Sequence, residues 1–149
     1  MPNPIWYDAH NHRSAGGVVL VNSGEPIWYN YALVRVVPRV ERGEFVNVGV
    51  VLFARAANFL GIRMAPDWDR LRAIGPDLNL DLVRRYLDAA VAICEGRPEG
   101  GPIARLSPSE RFHWLTSPKS SIIQTSCVHP GRCYSLEEAL DALVARLVK

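Results

Sequence analysis

Residues 29–64 read YNYALVRVVPRVERGEFVNVGVVLFARAANFLGIRM, and the way this stretch divides into three apolar runs decides the fold. Residues 29–37 (YNYALVRVV) are rich in β-branched and aromatic side chains, which suit a pleated, half-buried surface. The run stops at Pro38, which has no N–H to give to a ladder. Residues 45–53 (FVNVGVVLF) are the most apolar stretch of the chain and predict a central strand; residues 58–64 (NFLGIRM) predict a third. The connections at 39–44 and 54–57 are too short for a crossover, so the simplest topology is an antiparallel meander.

Working outward, the apolar period changes to that of a helix. Residues 67–74 predict a short helix stopped by Gly75-Pro76. From about Leu80 to Glu95, Val83, Tyr86, Leu87, Ala90, Ile93 and Cys94 recur at spacings of three and four, one face of a helix. Gly96-Arg97-Pro98 ends it, and the chain continues as a loop through Gly100-Gly101-Pro102. Ser107-Pro108-Ser109-Glu110 predicts a capping box with Pro at the first helical position, and Ser117-Pro118 keeps that helix short. Residues 122–128 (IIQTSCV) predict a fourth strand. Ser135 with Glu138 predicts a second capping box, followed by the apolar stripe Leu136, Ala139, Leu140, Leu143, Val144 and Leu147.

Upstream, residues 1 to about 16 carry Pro2, Pro4 and Gly16, with Gly17 next, without periodicity and read as a loosely held tail, while 18–21 could add an edge strand. PIWYD at 4–8 nearly repeats PIWYN at 26–30, too briefly to define a structural repeat. These readings predict an N-terminal extension over 1–27 and a single α+β domain over 28–149. Its sheet is mostly antiparallel, with about four strands (the meander plus a late strand) and helices packed on one face.

A chain of 149 residues can bury roughly 70% of its unfolded surface and needs no disulfide or metal staple. Three cysteines at unhelpful spacing (Cys94, Cys127, Cys133) speak for a reducing, cytoplasmic compartment. No apolar run reaches the ~20 residues of a membrane span, and the N-terminus lacks the pattern of a secretory signal. Of 17 basic residues all but Lys119 and Lys149 are Arg, yet a net charge of +2 does not by itself predict nucleic acid.

No phosphate-cradling Gly loop, nucleophile elbow or His-Glu-x-x-His is present, and no cofactor is implied. His10-Asn11-His12 resembles a nuclease run but lies in the Pro/Gly-flanked tail. Cys127, His129 and Cys133 offer three possible metal ligands in seven residues, without the paired spacing or fourth ligand of a zinc site.

Two segments hold the candidate polar site. In the hairpin over 35–47, a turn centred on Glu41 and Arg42 places Arg35 opposite or diagonal to Asn47, with Arg39 and Glu44 nearby. An Arg and an amide inside apolar strands cannot be buried unpaired without costing roughly 2–7 kcal/mol, so they pair internally, pair with an acid such as Glu44, or face a groove. The second segment runs from Ser117, Lys119 and Ser120 through Gln124 to His129, and could hold an anion or simply form a polar turn. Ser120 and His129 can be drawn as nucleophile and base, with no orienting third residue.

The runs YALVRVVPRVERGEFVNVGVVLF (31–53), FLGIRMAPDWDRL (59–71) and ERFHWLTSPKSSIIQTSCVHPGRC (110–133) resemble, in order, the bacterial domain-of-unknown-function 3037 family. RGEFVNVGV and the SPKSSIIQ…VHPG stretch carry the resemblance most specifically. Where members often have Ser-Pro-Val-His, this chain has Ser126-Cys127-Val128-His129, which argues against a special role for Cys127. Members are often encoded beside a protein similar to HipA-type kinases. The resemblance therefore implies a non-catalytic accessory or regulatory protein in a toxin–antitoxin-like pair, docking through a sheet edge or through Arg35, Arg39 and Arg42. The alternatives are a small enzyme or ligand-binding module for a phosphate- or carboxylate-bearing molecule built from Arg35, Glu44, Asn47, Ser120, Gln124 and His129, or nucleic-acid binding through the hairpin. A homodimer is compatible with each.

Overall fold

The computed structural model describes residues 24–149. The readings of the tail, the run at 18–21, the first PIWY copy and His10-Asn11-His12 lie outside them. Strands β1 (Ile27–Val36), β2 (Val46–Ala54) and β3 (Phe59–Met64) form the expected antiparallel meander. Helices α1 (Trp68–Ile74) and α2 (Leu80–Glu95) follow, then α3 (Pro108–Thr116), β4 (Ile123–Thr125), β5 (His129–Cys133) and α4 (Leu136–Leu147).

The helix ends follow from their caps. Asp67, Asn79, Ser107 and Ser135 each accept a backbone N–H three residues on, and Ser107 with Glu110 completes the reciprocal box. Gly96, in the left-handed region at φ 72°, closes α2, a conformation costly to any residue with a Cβ. Residues Pro98–Arg105, expected as loop, make 3₁₀ turns interrupted at Gly101. Arg111 ties this segment down: its guanidinium donates to Leu106 O, Ile93 O and Cys94 O, satisfying carbonyls at the end of α2.

Two expectations are corrected. The fourth strand, expected over 122–128, is two short ones, and His129-Pro130-Gly131, beyond the expected run, lies in β5. Both pair with β1, β4 along Val34–Val36 and β5 along Ile27–Tyr31, giving a five-stranded sheet. The break falls at buried Ser126, whose hydroxyl accepts from Leu33 N and donates to Cys127 O (both 2.8 Å), so a side chain takes over where a backbone partner would stand. In β5, Gly131 sits opposite Tyr29, and a Cβ there would clash with the phenol end of the tyrosine ring.

The second correction concerns the helices, which cover both faces of the sheet. Val51, Phe53, Leu60, Ile62 and Met64 pack with Leu71 of α1, Val83, Leu87, Val91 and Ile93 of α2, and Phe112 and Leu115 of α3. Val50, Leu52, Ala54 and Phe59 pack with Leu136, Leu140, Leu143 and Val144 of α4. Successive strand residues face opposite sides, so α4 lies across the sheet from α2 and α3. A bulge assists: Val34 pairs with Gly49 and Arg35 with Asn47, which leaves Val48 as the extra residue. Val46 and Val48 thereby face α2 and α3, whereas Val50 and Leu52 face α4. Among the described residues, no helix is long and apolar enough to cross a membrane.

Candidate functional site

The hairpin brings Arg35 and Asn47 into register as expected, and Gln124 of β4 is the partner of Arg35 on its other side. Two distant segments therefore meet in one row, Asn47–Arg35–Gln124. The Arg35 guanidinium lies 3.8 Å from the centre of the Phe45 ring, a cation–π contact. Asn47 Nδ2 donates to Leu147 O (3.2 Å) at the end of α4. That carbonyl belongs to the negative end of the helix. Arg35 Nε and Asn47 Oδ1 are buried with no hydrogen-bond partner in the structure.

The remaining candidates disperse. Glu44, a suggested partner for Arg35, instead takes a two-pronged bond from Arg42 (3.0 and 2.9 Å) at the exposed turn, and this pair holds its carboxyl below the usual carboxylate range. Arg39 lies 4.0 Å from Asp77. Ser117 Oγ donates to His113 O, and Lys119 Nζ donates to Trp114 O (2.8 Å) and Ser117 O (3.2 Å), so both cap the end of α3. His129 pairs with Tyr31, and their rings meet at a tilt of 38°, 5.5 Å between centres. Val37 N bonds Ile122 O, six residues along β1 from Tyr31, which places Ile122 about 20 Å from the His129 row. Ser120 is two residues from Ile122, a reach of at most about 7 Å, so Ser120 and His129 do not form a nucleophile–base pair. Cys127 is exposed, and His129 and Cys133 stand four strand residues apart, about 13 Å, too far to share a metal.

A different feature lies on the opposite side of the sheet. Between α2, α3 and the strands is a cavity of about 300 Å3. Its floor is buried Val34, Val51 and Ile62, and its walls include Ala90, Ile93 and Leu115. Tyr86 and Trp114 also line it and are 43% and 39% exposed, which marks them as its rim. Lys119 closes that rim, Nζ lying 4.5 Å from the Trp114 ring centre, and burial pushes its pKa below the ordinary lysine value. A shallower groove of about 510 Å3 lies at the far end of β1, bounded by Trp28, Asn30, Phe53, Arg55 and Pro130.

A family model described as a protein of unknown function (DUF3037) matches residues 31–148. The chain belongs to the DUF3037 family. No curated protein and no solved structure matches it. In this DUF3037 chain, the RGEFVNVGV stretch works as a clamp: Phe45 receives Arg35, Asn47 holds the last helix, and Val48 sets the bulge that divides the strand between two cores. The SPKSSIIQ stretch caps α3 and enters β4.

Sequence reasoning missed three residues of the DUF3037 chain that matter to this arrangement. Arg63, buried in β3, forms an ion pair with Asp141 of α4; the argument applied to Arg35, a charge inside an apolar run, would have found it. Arg111 and Ser126 gave no such signal, because each acts on backbone groups that only the folded chain brings near.

Proposed function

We propose that this DUF3037 protein is a non-catalytic, cytoplasmic accessory protein that docks on a HipA-like kinase-type partner through the sheet edge at β5. The observation that carries the reading is the exposure of Trp28 (62%) and Tyr134 (65%) beside that edge, with the groove floored by Phe53 next to Trp28. Large aromatic side chains held out in water beside a groove are the residues that dominate interface energies. The outer side of β5 has no strand partner among the described residues, and such an edge accepts main-chain hydrogen bonds from another chain. Pro130 shortens the available ladder, so the aromatic side chains carry most of the docking.

The hairpin is the weaker of the two surfaces. Arg42 is engaged by Glu44, Arg39 lies near Asp77, and Arg35 is turned onto Phe45, so little free positive charge remains for an anionic partner or nucleic acid. Co-expression with a HipA-like kinase-type protein, followed by size-exclusion chromatography, tests the proposal. A single peak at micromolar concentration, split into two by Trp28→Ala or Tyr134→Ala, is expected. Two peaks for the unaltered pair would overturn it.

A further inference from the structure

We infer that the cavity between α2, α3 and the sheet is a binding site for a small monocarboxylate with an apolar body, the body inside and the carboxylate at Lys119. This site lies apart from the β5 edge and does not depend on the partner reading.

The interior selects the body. Val34, Val51 and Ile62 below and Ala90, Ile93 and Leu115 around offer dispersion contacts and no fixed hydrogen-bonding group. Polar lining is confined to the sheet edge, where Thr125 stands in register with Val34 and Ser121 Oγ is committed to Ile123 O (2.8 Å). Apolar cavities half this size are known to stay dry and take up benzene, and about 300 Å3 is the lower end of the range of small-molecule pockets. A hydrocarbon chain or a substituted ring therefore fits, and a sugar or nucleotide does not.

The rim selects the head group. An ammonium has three N–H donors, and Lys119 uses two of them, on Trp114 O and Ser117 O. Its Nζ is held against the Trp114 ring, which is itself at the rim, so the charge is fixed where the cavity meets water. No carboxylate among the described residues forms an ion pair with it. The third donor and the charge are thus available to a ligand. The neighbouring carbonyls at the end of α3 carry partial negative charge, which opposes a dianion such as a phosphate monoester and leaves a singly charged carboxylate as the matching group. A cationic amphiphile would meet Lys119 directly and is disfavoured.

The experiment compares three ligands of one body, decanoate, decan-1-ol and decylammonium, each below its micelle concentration, by titration calorimetry on the full chain. Decanoate should bind about tenfold more tightly than decan-1-ol, with decylammonium weakest, a difference of ~1.4 kcal/mol per tenfold. Lys119→Met should bring decanoate down to the level of decan-1-ol and leave decan-1-ol unchanged. Filling the space by Ala90→Phe should abolish both. Ala89→Phe, at a more exposed lining position, serves as a second filling variant should the first fail to fold by circular dichroism. Equal binding of decanoate and decan-1-ol, no binding of either, undiminished decanoate affinity in Lys119→Met, or binding that survives a folded filling variant would each overturn the inference.

Discussion

The two faces of one sheet are finished differently. Under α4 the packing is closed: Val50, Leu52, Leu140 and Val144 are fully buried, and the Phe59 ring with Leu140 fills the space that Gly61 leaves without a side chain. Two polar residues on this face tie it to α4, Asn47 through the last helical carbonyl and Arg63 through Asp141. Under α2 and α3 the packing parts, and an apolar space opens beneath a single lysine. The contrast teaches that polar side chains inside strands were a guide to how the chain is held together. The place where a ligand fits is defined by an apolar gap that no individual residue announces.

Several substitutions sharpen or break this contrast. Leu140→Ala on the closed face should destabilise by about 2–5 kcal/mol in urea unfolding, because a tightly packed side chain leaves a void behind. Leu115→Ala, at the cavity wall, should cost roughly half as much, since part of its surface already faces open space. Equal costs would mean that the two faces are packed alike.

Asn47→Ala should cost about 1 kcal/mol through loss of its bond to Leu147 O. Arg35→Met, which keeps contact with Phe45 and removes an unpaired buried Nε, should stay within about 1 kcal/mol of the parent. A loss of several kcal/mol would show that Arg35 is energetically central to the fold.

The smallest effect is a pH dependence. Lys119 has its pKa lowered by burial, so between that lowered value and the ordinary lysine value the unfolded chain binds more protons than the folded one. Stability of the free protein should therefore gain slightly as alkaline pH rises through this window, and decanoate affinity should fall there as the ammonium is lost. Lys119→Met should flatten both profiles in thermal melts and calorimetry.

Much of the fold was legible because it is local. The strand runs, the caps at Ser107 and Ser135, and the pairing of Arg35 with Asn47 follow from neighbours in sequence and one short turn. The apolar stripe of α4 showed that it buries a face, but not on which side of the sheet. β2 held the answer: apolar side chains at both parities, Val50 and Leu52 as well as Val51 and Phe53, demand cover on both faces. The break at Ser126 was hidden because its cause is the distant backbone of Leu33. Of the candidate site, the row Asn47–Arg35–Gln124 was partly legible, whereas the cavity was not, since it depends on how far α2 and α3 stand from the strands.

Val50 and Val51 are consecutive in β2 and face opposite sides, which makes them internal controls for the whole account. A methyl-resolved NMR titration of the full chain with decanoate reads both at once. Shifts at Val34, Val51, Ile62 and Leu115, with Val50, Leu52 and Leu140 unmoved, are the expected result. Shifts confined to the α4 side, or spread evenly over both faces, would contradict it.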